Sequence, residues 1–102
     1  MRYKIEGPTN LINVRFVTEK TLKKHWGKPI ESIAGLYTNS NNTIWIRTGM
    51  EKHKTMLVLM HEAVHAAIDQ LVGVEDEEAR ADALAAWIIR LTKLSDYQNI
   101  LI

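Results

Sequence analysis

The chain contains no cysteine. Disulfide stapling is therefore excluded, and any bound metal must be held by histidine and carboxylate ligands alone. One-sided charge is also missing: thirteen Lys and Arg stand against twelve Asp and Glu, a formal net charge of +1. That balance provides no electrostatic footprint for nucleic acid or an anionic membrane surface. The first ten residues, MRYKIEGPTN, lack the apolar core of a signal peptide, and the longest apolar run is broken by His61, Glu62 and His65 before it could span a bilayer. There are no repeats, low-complexity tracts or Pro/Gly/Ser linkers. What is present is 102 residues, 46% hydrophobic and 25% charged, enough chain for one hydrophobic core and too little for two. The expectation is a single domain over residues 1–102, cytosolic in location.

Residue patterns set the expected order of elements. NLINVRFV, Asn10 to Val17, is rich in β-branched and apolar residues after the turn signal GPTN and reads as the first strand of a sheet. TEKTLKKHWG reads as a helix capped by Thr18 or Thr21 and stopped by Gly27. Two short β-prone runs, Ala34 to Thr38 and Thr43 to Arg47, flank the polar NSNN and read as a hairpin. Thr48 and Glu51 are spaced as a capping box, and Leu57, Met60, Val64, Ile68 and Leu71 then recur at helical spacing up to Gly73. A last helix opens on acidic residues, as its dipole prefers, carries Leu84, Trp87, Ile88 and Leu91 along one side, and frays near Ser95. Strand, helix, two strands, helix, helix is an α+β domain, with helices packed on one face of a small antiparallel or mixed sheet. Trp26, Trp45 and Trp87 are expected to anchor the packing. Met50, Met56 and Met60 are expected to fill gaps in it.

The segment MLVLMHEAVHAAIDQLVG carries the chemistry. His61 and His65 stand four residues apart on a helix, so both imidazoles project from one side, one turn apart, as two ligands of a single zinc ion require. Glu62 is rotated away from both. Its carboxylate can therefore reach a water at the metal without itself ligating the ion, the placement a general base needs. Without a metal, the pair would be ordinary core or boundary histidines beside Met60, Val64 and Ile68, where unpartnered imidazoles are costly to bury.

A third ligand decides the class. Position 71 is Leu71 and no histidine follows His65. Asp69 continues the four-residue spacing, but three side chains in one column cannot converge on a tetrahedral ion, so Asp69 is expected to be solvated or to support a ligand. The acidic opening of the last helix, EDEEARADALAAWI, remains.

HExxH followed by EARAD, Glu78 to Asp82, resembles the gluzincin zinc metallopeptidases, in which a glutamate on a second, antiparallel helix completes the site. The polar hairpin and the TIWI strand before HExxH are similar to the compact minigluzincins, the ImmA/IrrE-like peptidases and small phage or bacterial metallopeptidases; the likeness covers about residues 33–91. The resemblance implies a zincin-like fold with one Zn²⁺ held by His61, His65 and Glu78. Asp82 would then accept a hydrogen bond from the outer nitrogen of His61. Twelve residues separate His65 from Glu78, and a different loop path would present Glu77 or Asp82 as third ligand instead. The family usually adds a Tyr or His to stabilise charge on the scissile carbonyl; His53, Tyr37, Tyr97 and Arg80 qualify by chemistry.

The resulting expectation is a zinc metallopeptidase with Glu62 as general base, acting on a peptide or protein substrate laid along the hairpin strand Thr43 to Arg47. The alternative is a zinc-stabilised binding or regulatory module, of phage or mobile-element type, with little or no proteolysis.

Overall fold

The structure, a computed structural model, describes residues 2–92, so the expected fraying near Ser95 and the candidate Tyr97 lie outside the described residues. Four strands and three helices follow one another as β1 (Arg2–Glu6), β2 (Leu11–Val17), α1 (Glu19–Trp26), β3 (Gly35–Thr38), β4 (Thr43–Arg47), α2 (Lys52–Leu71) and α3 (Glu77–Thr92). The strands form one mixed sheet in the order β1-β2-β4-β3. β1 and β2 are antiparallel, β2 and β4 parallel, β3 and β4 antiparallel. A small α+β domain is what the sequence leads one to expect. The strand it does not anticipate is β1, which displaces β2 from first place. GPTN is not the lead-in to the sheet but the turn of a hairpin, closed by the Gly7 amide donating to the Asn10 carbonyl at 2.9 Å.

Alternation along β4 explains the layers. Ile44 and Ile46 point to one face and Trp45 to the other, and all three are buried, as a central strand with covered faces requires. On the first face Ile5, Ile12, Val14, Ile44 and Ile46 pack against Leu59, Ala63, Ala66 and Ala67 of α2 and Trp87 of α3. On the other, Trp45 packs with Leu22 of α1 and with Ile33. The helices therefore do not share a face: α1 lies opposite α2 and α3, because Leu22 supplies the apolar cover that Trp45 needs.

Each helix is ended by identifiable chemistry. Thr18 caps α1 by accepting from the Thr21 amide at 3.3 Å, and Gly27 closes it in the left-handed conformation, φ 76°. Glu51 is itself the N-cap of α2, its carboxylate accepting from the Lys54 amide at 2.7 Å, so the expected capping box led by Thr48 does not form. The buried side of α2 also differs from the expected one. Leu57, Val64 and Ile68 are exposed, and the helix instead turns Leu59 and three alanines inward. Small residues let the helix axis approach the sheet closely, and Gly35 shows how closely: a Cβ there would lie 2.5 Å from Val58 Cγ1 and 3.4 Å from Glu62 Cγ.

The turn between β1 and β2 holds the ends of both long helices. Gln70 Oε1 accepts from the Thr9 and Asn10 amides at 3.0 and 3.2 Å, and Gln70 Nε2 donates to the Asn10 carbonyl. Trp87 Nε1 donates to the Glu6 carbonyl at 2.7 Å, and Arg90 pairs with the Glu6 carboxylate at 2.9 Å. Among the described residues no helix is long and apolar enough to cross a membrane.

Candidate metal and catalytic site

His61 and His65 lie in the middle of α2 with exposed imidazoles; the His61 side chain is 69% accessible. They are not the core or boundary histidines of the metal-free alternative, since Val64 and Ile68 beside them are themselves exposed. Their rings nevertheless converge, with the two Nε2 atoms 3.2 Å apart and the ring planes at 72°. Two nitrogens each about 2.0–2.1 Å from one tetrahedral ion stand about 3.3 Å apart. The pair therefore fits a single zinc ion.

Glu62 turns the other way, toward the sheet. It is 8% exposed, and its Oε2 lies 3.9 Å from His61 Nε2, too far for a hydrogen bond but close enough to share one small molecule between them. Burial pushes the Glu62 carboxyl above the usual range; the neighbouring imidazoles and the Tyr37 backbone amide pull it back in part. A buried carboxylate with a raised proton affinity beside two converging imidazoles is the combination a general base and acid needs.

That amide contact follows from strand pairing. The Arg47 amide donates to the Ala34 carbonyl, so along β3 the residues bonded to β4 are Ala34, Leu36 and Thr38. Gly35 and Tyr37 turn their backbone groups outward, along the free edge of the sheet. The edge beside the site is therefore β3. β4, expected to be the exposed strand, is enclosed between β2 and β3.

A groove of about 810 Å³ runs along this edge. Tyr37 enters it, and its hydroxyl donates to Asp69 Oδ2 at 3.0 Å. Burial, and then this bond, raise the Tyr37 phenol to about 12. Because the folded value lies above the ordinary one of 10.0, the resulting stability is complete below about pH 10 and is lost as pH rises toward 12. Spectrophotometric titration is expected to show a late-ionising tyrosine that is absent in Tyr37→Phe. A late phase that persists unchanged in Tyr37→Phe would rule the contact out.

The remaining expected residues are dispersed. Glu77, Glu78 and Asp82 are exposed on the first turns of α3, and the Glu78 amide bonds Asp76 Oδ1 at 3.0 Å. Trp87 and Arg90, which anchor α3, lie about 13 Å or more along the helix from Glu78. Among the described residues no group of three His, Cys, Asp or Glu side chains is assembled to hold a metal. The structure thus brings together His61, His65 and Glu62 and does not bring Glu78, Glu77 or Asp82 to them. Of the described charge-stabilising candidates, Tyr37 lines the groove and His53 and Arg80 do not. Asp69 serves Tyr37, a partnership between α2 and an edge strand that no local spacing in the sequence could signal. No protein-family model, curated protein or solved structure matches this chain.

Proposed function

We propose that the chain is a zinc-dependent peptidase of the gluzincin type, with a zincin-like fold. The observation that supports this most strongly is the 3.2 Å separation of the two imidazole Nε2 atoms beside the buried carboxylate of Glu62. His61 and His65 would hold the ion, with Glu78 from the start of α3 as the third ligand by the resemblance, and Glu77 or Asp82 as the alternatives. Zinc supplies Lewis acidity that polarises a peptide carbonyl and eases deprotonation of water. The rest is done by side chains and backbone of the chain. Glu62, held in place by its burial and by the Tyr37 amide, takes a proton from the attacking water and returns it to the leaving amine. The outward amide and carbonyl of Gly35 and the outward carbonyl of Tyr37 would align the substrate backbone as an added strand.

Zinc titration of the purified chain, with metal content measured after dialysis, tests the ligand assignment. About one zinc per chain is expected, with affinity at least about tenfold weaker in His61→Ala, since even outer-shell contacts to a metal are worth that much. Undiminished equimolar zinc in His61→Ala would refute the assignment. Zinc binding without hydrolysis of any peptide, by the native chain or by a Glu62 variant, would instead favour a metal-stabilised binding module.

A further inference from the structure

The groove along β3 is unequal from end to end. One end holds Glu62 and His65; the other is walled by Ile68 of α2 and by Val72, the C-cap of that helix, and Trp26 also lines the groove. Ile68 is 62% and Val72 80% exposed, and Trp26 41%. Large apolar side chains left this open around a groove are sites awaiting a ligand more often than sites of packing. His65, Ile68 and Val72 share one face of α2 at i, i+3 and i+7. At about 1.5 Å per residue, Ile68 stands about 4.5 Å and Val72 about 10 Å along the axis from His65.

An extended peptide advances about 3.4 Å per residue and returns to the same side every second residue, about 6.8 Å on. A side chain two places from the bond held at Glu62 and His65 therefore falls between Ile68 and Val72. Charge points the same way. Among the described residues the groove is lined by no lysine or arginine, and Asp69 stands beside Ile68, so an acidic side chain at that end would meet like charge with no basic side chain to offset it.

Resting on the peptidase reading above, we propose that Ile68 and Val72 form a specificity subsite that selects a bulky apolar side chain two residues from the cleaved bond and rejects an acidic one. The occupant is an extended peptide segment whose backbone pairs with Gly35 and with the Tyr37 carbonyl. Its intervening side chain is directed to the opposite wall, at Trp26 and Leu36.

A randomised peptide mixture, digested by the zinc-supplied chain and read by mass spectrometry, locates the bonds cut and the residues around them. Leu, Ile and Phe are expected about tenfold above Ala at the second position on one side of the bond, the scale of apolar discrimination in an open pocket, with Asp and Glu the most depleted. In Ile68→Ser and Val72→Ser the apolar preference is expected to fall to within about twofold. Both residues lie outside the core, so the variants should fold. Binding to Glu62→Gln, followed by anisotropy of two labelled peptides differing only as Leu or Asp at that position, is expected to give the same order without turnover. Cleavage with no preference at that position, or a preference unchanged in both serine variants, would overturn the subsite and leave the peptidase reading standing. Discriminating binding without cleavage would keep the subsite and remove the peptidase reading. Neither binding nor cleavage would remove both.

Discussion

Glu62→Gln is expected to lower peptide hydrolysis by about 10²–10⁴-fold, the range a positioned general base contributes, while zinc content stays at the native level. Glutamine has nearly the same shape, keeps an acceptor for the Tyr37 amide, and cannot take a proton from water. Because Glu62 is buried and burial works against its charge, the neutral variant should be at least as stable as the native protein. Activity and stability are thus expected to move independently. This separates loss of chemistry from loss of fold. If the variant retains more than about a tenth of native turnover, Glu62 is not the base; if it loses zinc as well, Glu62 is a ligand and the division of roles on α2 is wrong.

Trp87→Ala is expected to cost about 3–5 kcal/mol, the usual range for removing a buried tryptophan from a core. Trp87 is 3% exposed, belongs to the main apolar cluster, and donates to the Glu6 carbonyl at 2.7 Å. Few other buried residues of α3 share that task, since Leu84, Ile88 and Ile89 are exposed. For a chain of this size the loss corresponds to a fall in Tm of at least about 12 °C. Trp87→Phe keeps most of the apolar bulk and leaves the Glu6 carbonyl without its donor, for an expected cost of about 1–3 kcal/mol. Urea denaturation of the three proteins distinguishes these outcomes. A change under about 1 kcal/mol in the alanine variant would mean that α3 is not held through this side chain.

What could be read from the sequence was local. The histidine pair and its glutamate need only the period of one helix, and α1, α2, α3 and the β3–β4 hairpin follow from caps, stops and turn residues close by in the chain. Non-local features were harder. β1 shows alternation of Tyr3 and Ile5 with Lys4 and Glu6, but five residues ahead of a turn signal are easily read as a tail. The inward face of α2 is not the one that its large apolar residues mark at helical spacing, because Ala63, Ala66 and Ala67 make the close approach to the sheet. Which hairpin strand is the edge depends on β2 pairing with β4, a contact between segments about thirty residues apart. The placement of α3 is likewise non-local, since Trp87 and Arg90 hold it to the turn after β1.

The turn at residues 6–10 ties the first strands of the chain to the last described helix, since it takes hydrogen bonds from Gln70, Trp87 and Arg90. The two extremities of the described chain are therefore expected to open as one cooperative unit, although they are farthest apart in sequence. Native-state hydrogen exchange should report the amides of β1 and of the second half of α3 exchanging at a common rate. Loosening that turn would release the N-terminal hairpin and the C-terminal helix in a single event, while the β3–β4 hairpin remained closed.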